Sequence, residues 1–196
     1  MHEYDAIFDW YVTERSSVIG LPEVEELTRS LPTGARVLDL GCGTGVPIAQ
    51  FLIDSGFEVF GIDSSSKMIA SFRGRFPTAH ASCEPVEESD FFGVLFDAVI
   101  SWGVMFHLEP TNQKIVIEKV GRALKDGGRF LFTSGEREGT VDGVMNGVTF
   151  RYFSLGVDSY EKVLNENGLD LLDYGKDKAD NYVYLAGKRT ANSGFE

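Results

Sequence analysis

Two spacings of apolar residues alternate along the first two thirds of this chain of 196 residues. Short apolar runs predict strands, and apolar residues that recur every three or four positions predict amphipathic helices. The predicted strands are residues 36–40, 58–63, 79–82, 96–102 and 129–134. The predicted helical faces between them lie at residues 48–53, 68–76 and 117–124, with Ser64 as the expected cap of the second helix. Strands that alternate with helices predict a parallel sheet covered by helices on both faces.

The end of the chain follows a different pattern. A helix is predicted over residues 158–167, followed by strands at 169–174 and 182–186 that a short polar turn connects. Two strands joined in this way form an antiparallel hairpin rather than another strand–helix unit. The sheet is therefore expected to end with an antiparallel strand.

A glycine-rich turn follows the first predicted strand. Gly41, Gly43 and Gly45 stand at every second position, and Asp39 precedes them. Glycine has no Cβ and adopts positive φ, so such a turn lets the backbone approach a ligand closely. A second carboxylate, Asp63, ends the next predicted strand. Glycines beneath a ligand and an acid at the end of the following strand are typical of a nucleoside site, with the acid on the ribose hydroxyls.

The spacing of the glycines indicates which kind of nucleoside is bound. A dinucleotide site uses the pattern G-x-G-x-x-G, whereas Val46 occupies the position of its third glycine here. Asp39 would also repel a pyrophosphate, but it would attract a cationic ligand. Both observations count against a nicotinamide oxidoreductase and favour a nucleoside that carries positive charge and no phosphate.

Residues 36–47 and 58–63 resemble motif I and the acidic-strand motif of the class I S-adenosylmethionine-dependent methyltransferases. The resemblance covers about residues 30–188. It implies an α/β fold, namely a Rossmann-like three-layer α/β/α sandwich with a seven-stranded, mostly parallel sheet and an antiparallel C-terminal strand. We expect one domain over residues 1–196, divided into an N-terminal lid or helical segment (1–30), a Rossmann-like core (31–188) and a short substrate-side insertion (135–156).

The resemblance implies S-adenosyl-L-methionine as the cofactor and also suggests which residues bind it. The glycine turn would lie under the methionine part, with Asp39 near its ammonium and Asp63 on the ribose hydroxyls. Ser101 and Trp102 would line the methionine. The full set of expected cofactor-binding residues is Asp39, Gly41, Cys42, Gly43, Gly45, Asp63, Ser64, Glu84, Val86, Ser101, Trp102 and Tyr11.

Some of these assignments have competing interpretations. Asp63 could cap the following helix, although Ser64 could do so equally well. Glu84 could reach the adenine amino group while the Val86 N–H meets a ring nitrogen. If Pro85 takes the position of the acid, only the backbone contact remains, and Glu84 could also be a solvated loop acid. The aromatic segment 4–11, which contains Tyr11, is either a lid over the cofactor or an amphipathic helix packed on the core.

His107 is the candidate acid–base residue, because the pKa of an imidazole allows proton uptake near neutrality. The competing interpretation is a histidine that orders a loop or contacts the cofactor without proton transfer. In the insertion, Arg137 and Arg151 either hold a substrate carboxylate or pair with surface acids.

Composition narrows the classes of partner. A net charge of −12 disfavours nucleic acids, whose binding depends on Lys and Arg. Two cysteines, one inside the glycine turn, predict free thiols and a cytoplasmic location. We read no signal peptide, no membrane-spanning stretch and no metal-ligand spacing. The expected partner is a small-molecule substrate, and the expected protein is a monomer or homodimer.

The sequence thus predicts an enzyme that transfers a methyl group to an oxygen, nitrogen or carbon of a small molecule. The alternative is a regulator or non-catalytic partner subunit that binds the same cofactor without turnover.

Overall fold

The computed structural model describes residues 3–14 and 19–190. Within these residues the strands are β1 (Arg36–Leu40), β2 (Glu58–Asp63), β3 (His80–Cys83), β4 (Phe96–Ser101), β5 (Leu124–Ser134), β6 (Glu138–Met145), β7 (Val148–Leu155), β8 (Leu169–Lys176) and β9 (Tyr182–Lys188). The helices are α1 (Glu3–Ala6), α2 (Phe8–Glu14), α3 (Leu21–Thr28), α4 (Ile48–Asp54), α5 (Ser66–Arg75), α6 (Pro110–Ala123) and α7 (Val157–Glu166). Short 3₁₀ turns lie at Phe91–Gly93 and Met105–His107.

Seven strands form one sheet in the order β3-β2-β1-β4-β5-β9-β8, in which β9 alone runs antiparallel to its neighbours. The pleat sends successive side chains to opposite faces. Leu38 packs with residues of α6 and α7 on one face, and Val37 packs with residues of α3, α4 and α5 on the other. The predicted three-layer fold with an antiparallel strand at the end of the chain is confirmed.

The insertion forms a second, two-stranded sheet. Strands β6 and β7 pair in antiparallel register from Glu138↔Leu155 to Met145↔Val148. The two residues between them, Asn146 and Gly147, have φ values of +47° and +76°. Two consecutive positive φ angles in an Asn-Gly pair match the tight turn that suits the twist of a hairpin.

Two local predictions are wrong. Ser65, not Ser64, caps α5, because Ser65 has the extended backbone of a cap and its Oγ accepts a hydrogen bond from the Met68 N–H at 3.2 Å. Leu124 belongs to a strand rather than to a helical face. The helix α6 ends at Ala123, and Leu124 opens β5 by pairing with Phe96, before an irregularity at 125–128. No helix within the described ranges is both long and apolar enough to cross a bilayer.

A buried polar cluster links α6 and α7 to β5, to β7 and to the segment before α6. Gln113 is fully buried, and its Nε2 donates to the carbonyl oxygens of Leu108 at 2.8 Å and Phe153 at 3.1 Å. Its Oε1 accepts from the Tyr160 hydroxyl, which also bonds Ser134. All polar atoms of the Gln113 amide are therefore satisfied without water.

Replacing Gln113 with Met should lower the free energy of unfolding by roughly 2–4 kcal/mol, because two buried carbonyls would lose a donor and the Tyr160 hydroxyl would lose one of its partners. Urea denaturation measures this change. The matched control is Lys114→Met on the exposed side of the same helix. Equal loss of stability in both variants would contradict the assigned role of the cluster.

Candidate functional site

The glycine turn at the carboxyl end of β1 has the backbone that its sequence predicts. Gly41, Gly43 and Gly45 all have positive φ, at +72°, +55° and +82°. This shared requirement explains the alternate spacing, since L-residues rarely adopt that conformation. The N–H groups of Gly41 and Cys42 both donate to the Ile62 carbonyl, at 2.7 and 3.0 Å, so the turn is fixed to the end of β2.

Two of these glycines also allow close packing. A Cβ on Gly41 would lie 1.9 Å from Val104 Cγ2, and a Cβ on Gly45 would lie 2.5 Å from Phe76 Cε2. Contacts this short are not tolerated, so the segment after β4 and the end of α5 press directly against the turn.

Asp63 joins this turn to the next one. Its Oδ2 accepts from the Gly43 N–H at 2.9 Å and its Oδ1 accepts from the Ser65 N–H at 2.8 Å. The cap of α5 is Ser65 itself, so the carboxylate orders the two loops rather than capping the helix. A carboxylate oxygen can in general accept more than one hydrogen bond.

The side chains of Asp39 and Cys42 are buried at the turn. Asp39 is only 3% exposed, and burial together with the charges of Asp39 and Asp63 raises the pKa of the Cys42 thiol well above its ordinary value. The sulfur packs so closely on β2 that a Cβ on Gly61 would lie 2.7 Å from it. Asp39, Cys42 and Gly45, which the sequence assigns to the cofactor, are not among the described residues that line the two cavities beside the turn.

A cavity of about 500 Å³, here called the inner cavity, opens beside the turn. Its lining includes Gly41, Gly43, Asp63, Ser64, Met68 and Val86. A second cavity of about 850 Å³, the outer cavity, lies between the N-terminal helices and the β6–β7 hairpin. Its lining includes Trp10, Glu14, Phe106, Arg137, Tyr152 and Tyr182.

The two cavities share a wall. Its members line both cavities and are Tyr4, Tyr11, Trp102, Gly103, His107 and Phe153. The Tyr4 hydroxyl lies 2.8 Å from His107 Nε2, and the backbone N–H of Gly103 donates to Thr133 Oγ1 at 2.8 Å. The wall is therefore mainly aromatic, and His107 contributes an imidazole to it.

The segment after β3 lines the inner cavity with Pro85, Val86 and Glu87 rather than with the expected Glu84. The Glu84 carboxylate accepts from Ser89 Oγ at 2.8 Å. Lys119 holds this segment by donating to the carbonyls of Glu87 and Ser89. The adenine contact of Glu84 remains a prediction.

Ser101 and the two arginines differ from one another in their partners. Ser101 is 1% exposed, and its Oγ finds no hydrogen-bond partner in the described parts of the chain. Arg151 pairs with Asp142 through both carboxylate oxygens, at 2.8 and 3.0 Å. Arg137 lines the outer cavity, and no such partner is found for it among the described residues. Arg151 thus follows the surface-pair interpretation, and Arg137 faces the site.

The N-terminal segment both packs on the protein and lines the two cavities, and its role as a lid over the cofactor remains a prediction. Ile7 is 2% exposed and packs into the protein, while Tyr4 and Tyr11 line the cavities. Asp5 accepts a hydrogen bond from Ser65 Oγ, and Lys67 Nζ donates to the Asp5 carbonyl at 2.9 Å. Helix α1 is thereby fixed to the start of α5, beside Asp63.

Sequence reasoning missed Phe153 and the role of Tyr4. Phe153 comes from β7, and only the folding of the hairpin brings it to the wall. Tyr4 stands in the aromatic segment that the sequence did single out, but its bond to His107 spans 103 positions. No local pattern encodes a contact at that separation.

Residues 37–128 match a family model described as a methyltransferase domain. Together with the relatives named below, this match supports a class I S-adenosylmethionine-dependent methyltransferase. Structural neighbours solved with S-adenosylmethionine or S-adenosylhomocysteine indicate S-adenosylmethionine as the cofactor. The methyltransferase is 27% identical over 194 residues to Methyltransferase GfsG of Streptomyces halstedii, a match that covers 86% of this chain and 67% of the relative.

Two further matches show the range of related proteins. The methyltransferase is 36% identical over 143 residues to the tRNA (carboxymethyluridine(34)-5-O)-methyltransferase of Arabidopsis thaliana. This match covers 70% of the present chain but 33% of the Arabidopsis protein. Its fold is similar to that of 1,6-didemethyltoxoflavin-N1-methyltransferase from Burkholderia thailandensis, solved with 1,6-didemethyltoxoflavin and S-adenosylhomocysteine. That similarity has a TM-score of 0.71 and 22% identity and covers 95% of this chain and 84% of the other.

The inner cavity fits the cofactor of this family by its charges. Asp63 and Glu87 line it, and its one lining arginine, Arg151, already pairs with Asp142 among the residues described. A phosphate would meet carboxylates here, whereas an ammonium and a sulfonium meet favourable charge. Carboxylate oxygens beside a glycine turn are also suitable acceptors for ribose hydroxyls.

The thiols of the methyltransferase should differ sharply in reactivity. Cys83 is exposed and Cys42 is buried, and the raised pKa of Cys42 keeps its thiol protonated at pH 8. A thiol-reactive disulfide reagent at pH 8 should therefore modify about one equivalent quickly and the second only after denaturation. In Cys83→Ser the fast phase should disappear; its persistence would contradict this description of the turn.

Proposed function

We propose that the methyltransferase transfers the methyl group of S-adenosylmethionine to an oxygen, nitrogen or carbon atom of a small molecule held in the outer cavity. The observation that carries this proposal is the shared wall. Asp63, an acid of the kind that binds ribose, lines the inner cavity. The inner cavity and the outer cavity of about 850 Å³ meet at the aromatic side chains and the imidazole of this wall. That volume lies within the usual range for small-molecule sites.

In the inner cavity we assign the ribose hydroxyls to Asp63, whose carboxylate oxygens are already oriented by Gly43 and Ser65. The backbone around Val86 would receive the adenine, and the glycine turn would lie under the methionine part, with Asp39 supplying negative charge. Because two N–H groups fix the carboxylate before binding, little ordering cost remains when a ligand arrives.

When bound, S-adenosylmethionine supplies an activated methyl group on a sulfonium sulfur. The residues of the wall would align an acceptor with that group and exclude water, and alignment is the largest contribution expected for such a reaction. His107 would take up the proton that the acceptor releases, because it lies where the cavities meet and imidazole titrates near neutrality.

The charge of the chain supports a small acceptor rather than a nucleic acid. A net charge of −12 opposes binding to a polyphosphate. Arg137 is the guanidinium available in the outer cavity among the described residues and would bind an anionic group of the acceptor. We further propose a cytoplasmic monomer or homodimer, consistent with two free cysteines.

Incubation with methyl-labelled S-adenosylmethionine tests the proposal. We expect label in low-molecular-weight compounds from a panel of amines, phenols, alcohols and carboxylic acids, and none in a tRNA transcript. Label in the transcript alone would contradict the assignment of a small acceptor, and cofactor binding without transfer to any compound would favour a regulator.

Asp63→Ala should weaken the binding of S-adenosylhomocysteine by roughly tenfold to a hundredfold, since hydrogen bonds to a charged group contribute about 1.5–3 kcal/mol. Isothermal titration calorimetry measures the change. Asp54→Ala removes an exposed carboxylate from α4 as the matched control and should bind like the native protein. Unchanged affinity in a folded Asp63→Ala variant would exclude Asp63 as the ribose ligand.

A further inference from the structure

The acid–base candidate already has a phenol on one of its ring nitrogens. The Tyr4 hydroxyl lies 2.8 Å from His107 Nε2, and the two rings meet edge to face with their centroids 5.4 Å apart. Both residues line both cavities. An acceptor in the outer cavity can therefore meet the phenol as well as the imidazole.

Tyr4 is held in this place from three sides. Its ring packs against Tyr11 and Phe150, each with a centroid distance of 5.2 Å. The next residue, Asp5, is bound by Ser65 and Lys67 at the start of α5. The hydroxyl is thus positioned by packing and by the same turn that orients Asp63, which favours a defined role over an incidental surface contact.

We propose that Tyr4 is a second acid–base residue of the methyltransferase and that it relays the acceptor's proton to His107. This inference rests on the proposed function. The acceptor's proton passes to Tyr4 Oη while the phenolic proton passes to His107 Nε2. One O–H bond forms as another breaks, an N–H bond forms, and the methyl group moves from sulfur to the acceptor. The positive charge that the methyl donor brings ends on the imidazolium, which later releases its proton to water.

The relay follows from the hydrogen bond. Because Nε2 already faces the Tyr4 hydroxyl, a proton reaches that nitrogen through the phenol. A phenol alone has a pKa of about 10 and is a poor base at neutral pH. When the phenol is hydrogen-bonded to an imidazole, it gives its own proton to the imidazole as it takes one from the acceptor. A histidine activates a hydroxyl nucleophile by the same principle.

The relay requires Tyr4 to donate to Nε2, so the ring proton of neutral His107 must sit on Nδ1. The other titratable residues that line the two cavities come from several elements. They are Tyr11, Glu14, Asp63, Glu87, Glu109, Arg137, Glu138, Arg151, Tyr152, Asp180 and Tyr182. Tyr152 lies with its ring centroid 5.1 Å from that of His107, and desolvation raises the pKa of its phenol, so it stays protonated at neutral pH.

Nuclear magnetic resonance of protein labelled with ¹⁵N-histidine tests the hydrogen bond without any acceptor. The chain has three histidines, and His107→Gln identifies the signals of His107. We expect one tautomer with the proton on Nδ1. Tyr4→Phe should shift the Nε2 resonance and admit the other tautomer. Tyr174→Phe, which changes an exposed side chain of β8, should leave both the resonance and the tautomer unchanged. Identical His107 signals in the two Tyr→Phe variants would overturn the proposal.

Turnover with an acceptor found in the labelling panel tests the relay itself. Tyr4→Phe and His107→Gln should each lower kcat at least tenfold with a smaller effect on the KM of the acceptor. The double variant should lose no more than the single ones, because the residues act as one unit. Independent, multiplying losses would overturn the relay, as would an unchanged kcat in Tyr4→Phe.

A second substitution covers the case in which Tyr4→Phe disturbs α1. Fluorotyrosine at position 4 keeps the ring and hydroxyl but makes the phenol more acidic, so the pH profile of kcat should shift while the fold is retained. An unshifted profile counts against the relay. Failure to methylate any acceptor while the His107 signals respond as expected counts against the proposed function, not against the Tyr4–His107 hydrogen bond.

Discussion

The site depends first on the two hydrogen bonds of the Asp63 carboxylate. One oxygen accepts from the glycine turn after β1 and the other from the turn after β2, at 2.9 and 2.8 Å. Parallel strands place their carboxyl ends at one edge of a sheet, but they do not by themselves fix the loops that follow. A charged acceptor between two N–H donors does so, and a carboxylate is also the kind of group that accepts hydrogen bonds from ribose hydroxyls.

From this point an unbroken set of contacts leads to the proposed chemistry. Ser65 donates its N–H to Asp63, caps α5 and donates its hydroxyl to Asp5. Asp5 follows Tyr4, and Tyr4 bonds His107 on the wall. The acid that we assign to the ribose and the pair that we assign to proton transfer are thus linked through only a few residues. We therefore expect Tyr4 to be in place for proton transfer only when α1 is ordered against α5.

Features that depend on local sequence could be predicted. The strand limits of β1 and β2, the turn with three positive φ angles and the antiparallel end of the sheet follow from apolar spacing and from glycine. The predicted cap of α5 was wrong by one residue, because Ser64 and Ser65 are chemically alike and only the backbone conformation distinguishes them. The sequence singled out Tyr11, Trp102 and His107, but it could not show that they share a wall with Tyr4 and Phe153. These residues come from distant segments that only the hairpin and α1 bring together. The choice between the two arginines likewise required the position of Asp142.

A crystal structure with S-adenosylhomocysteine would show whether the inner cavity receives the nucleoside and whether the amino acid end of the ligand reaches the wall. We expect both ribose hydroxyls on the Asp63 carboxylate, the adenine beside Val86 and the sulfur facing Tyr4 and His107. A nucleoside found in the outer cavity, or bound with its ribose away from Asp63, would contradict this assignment.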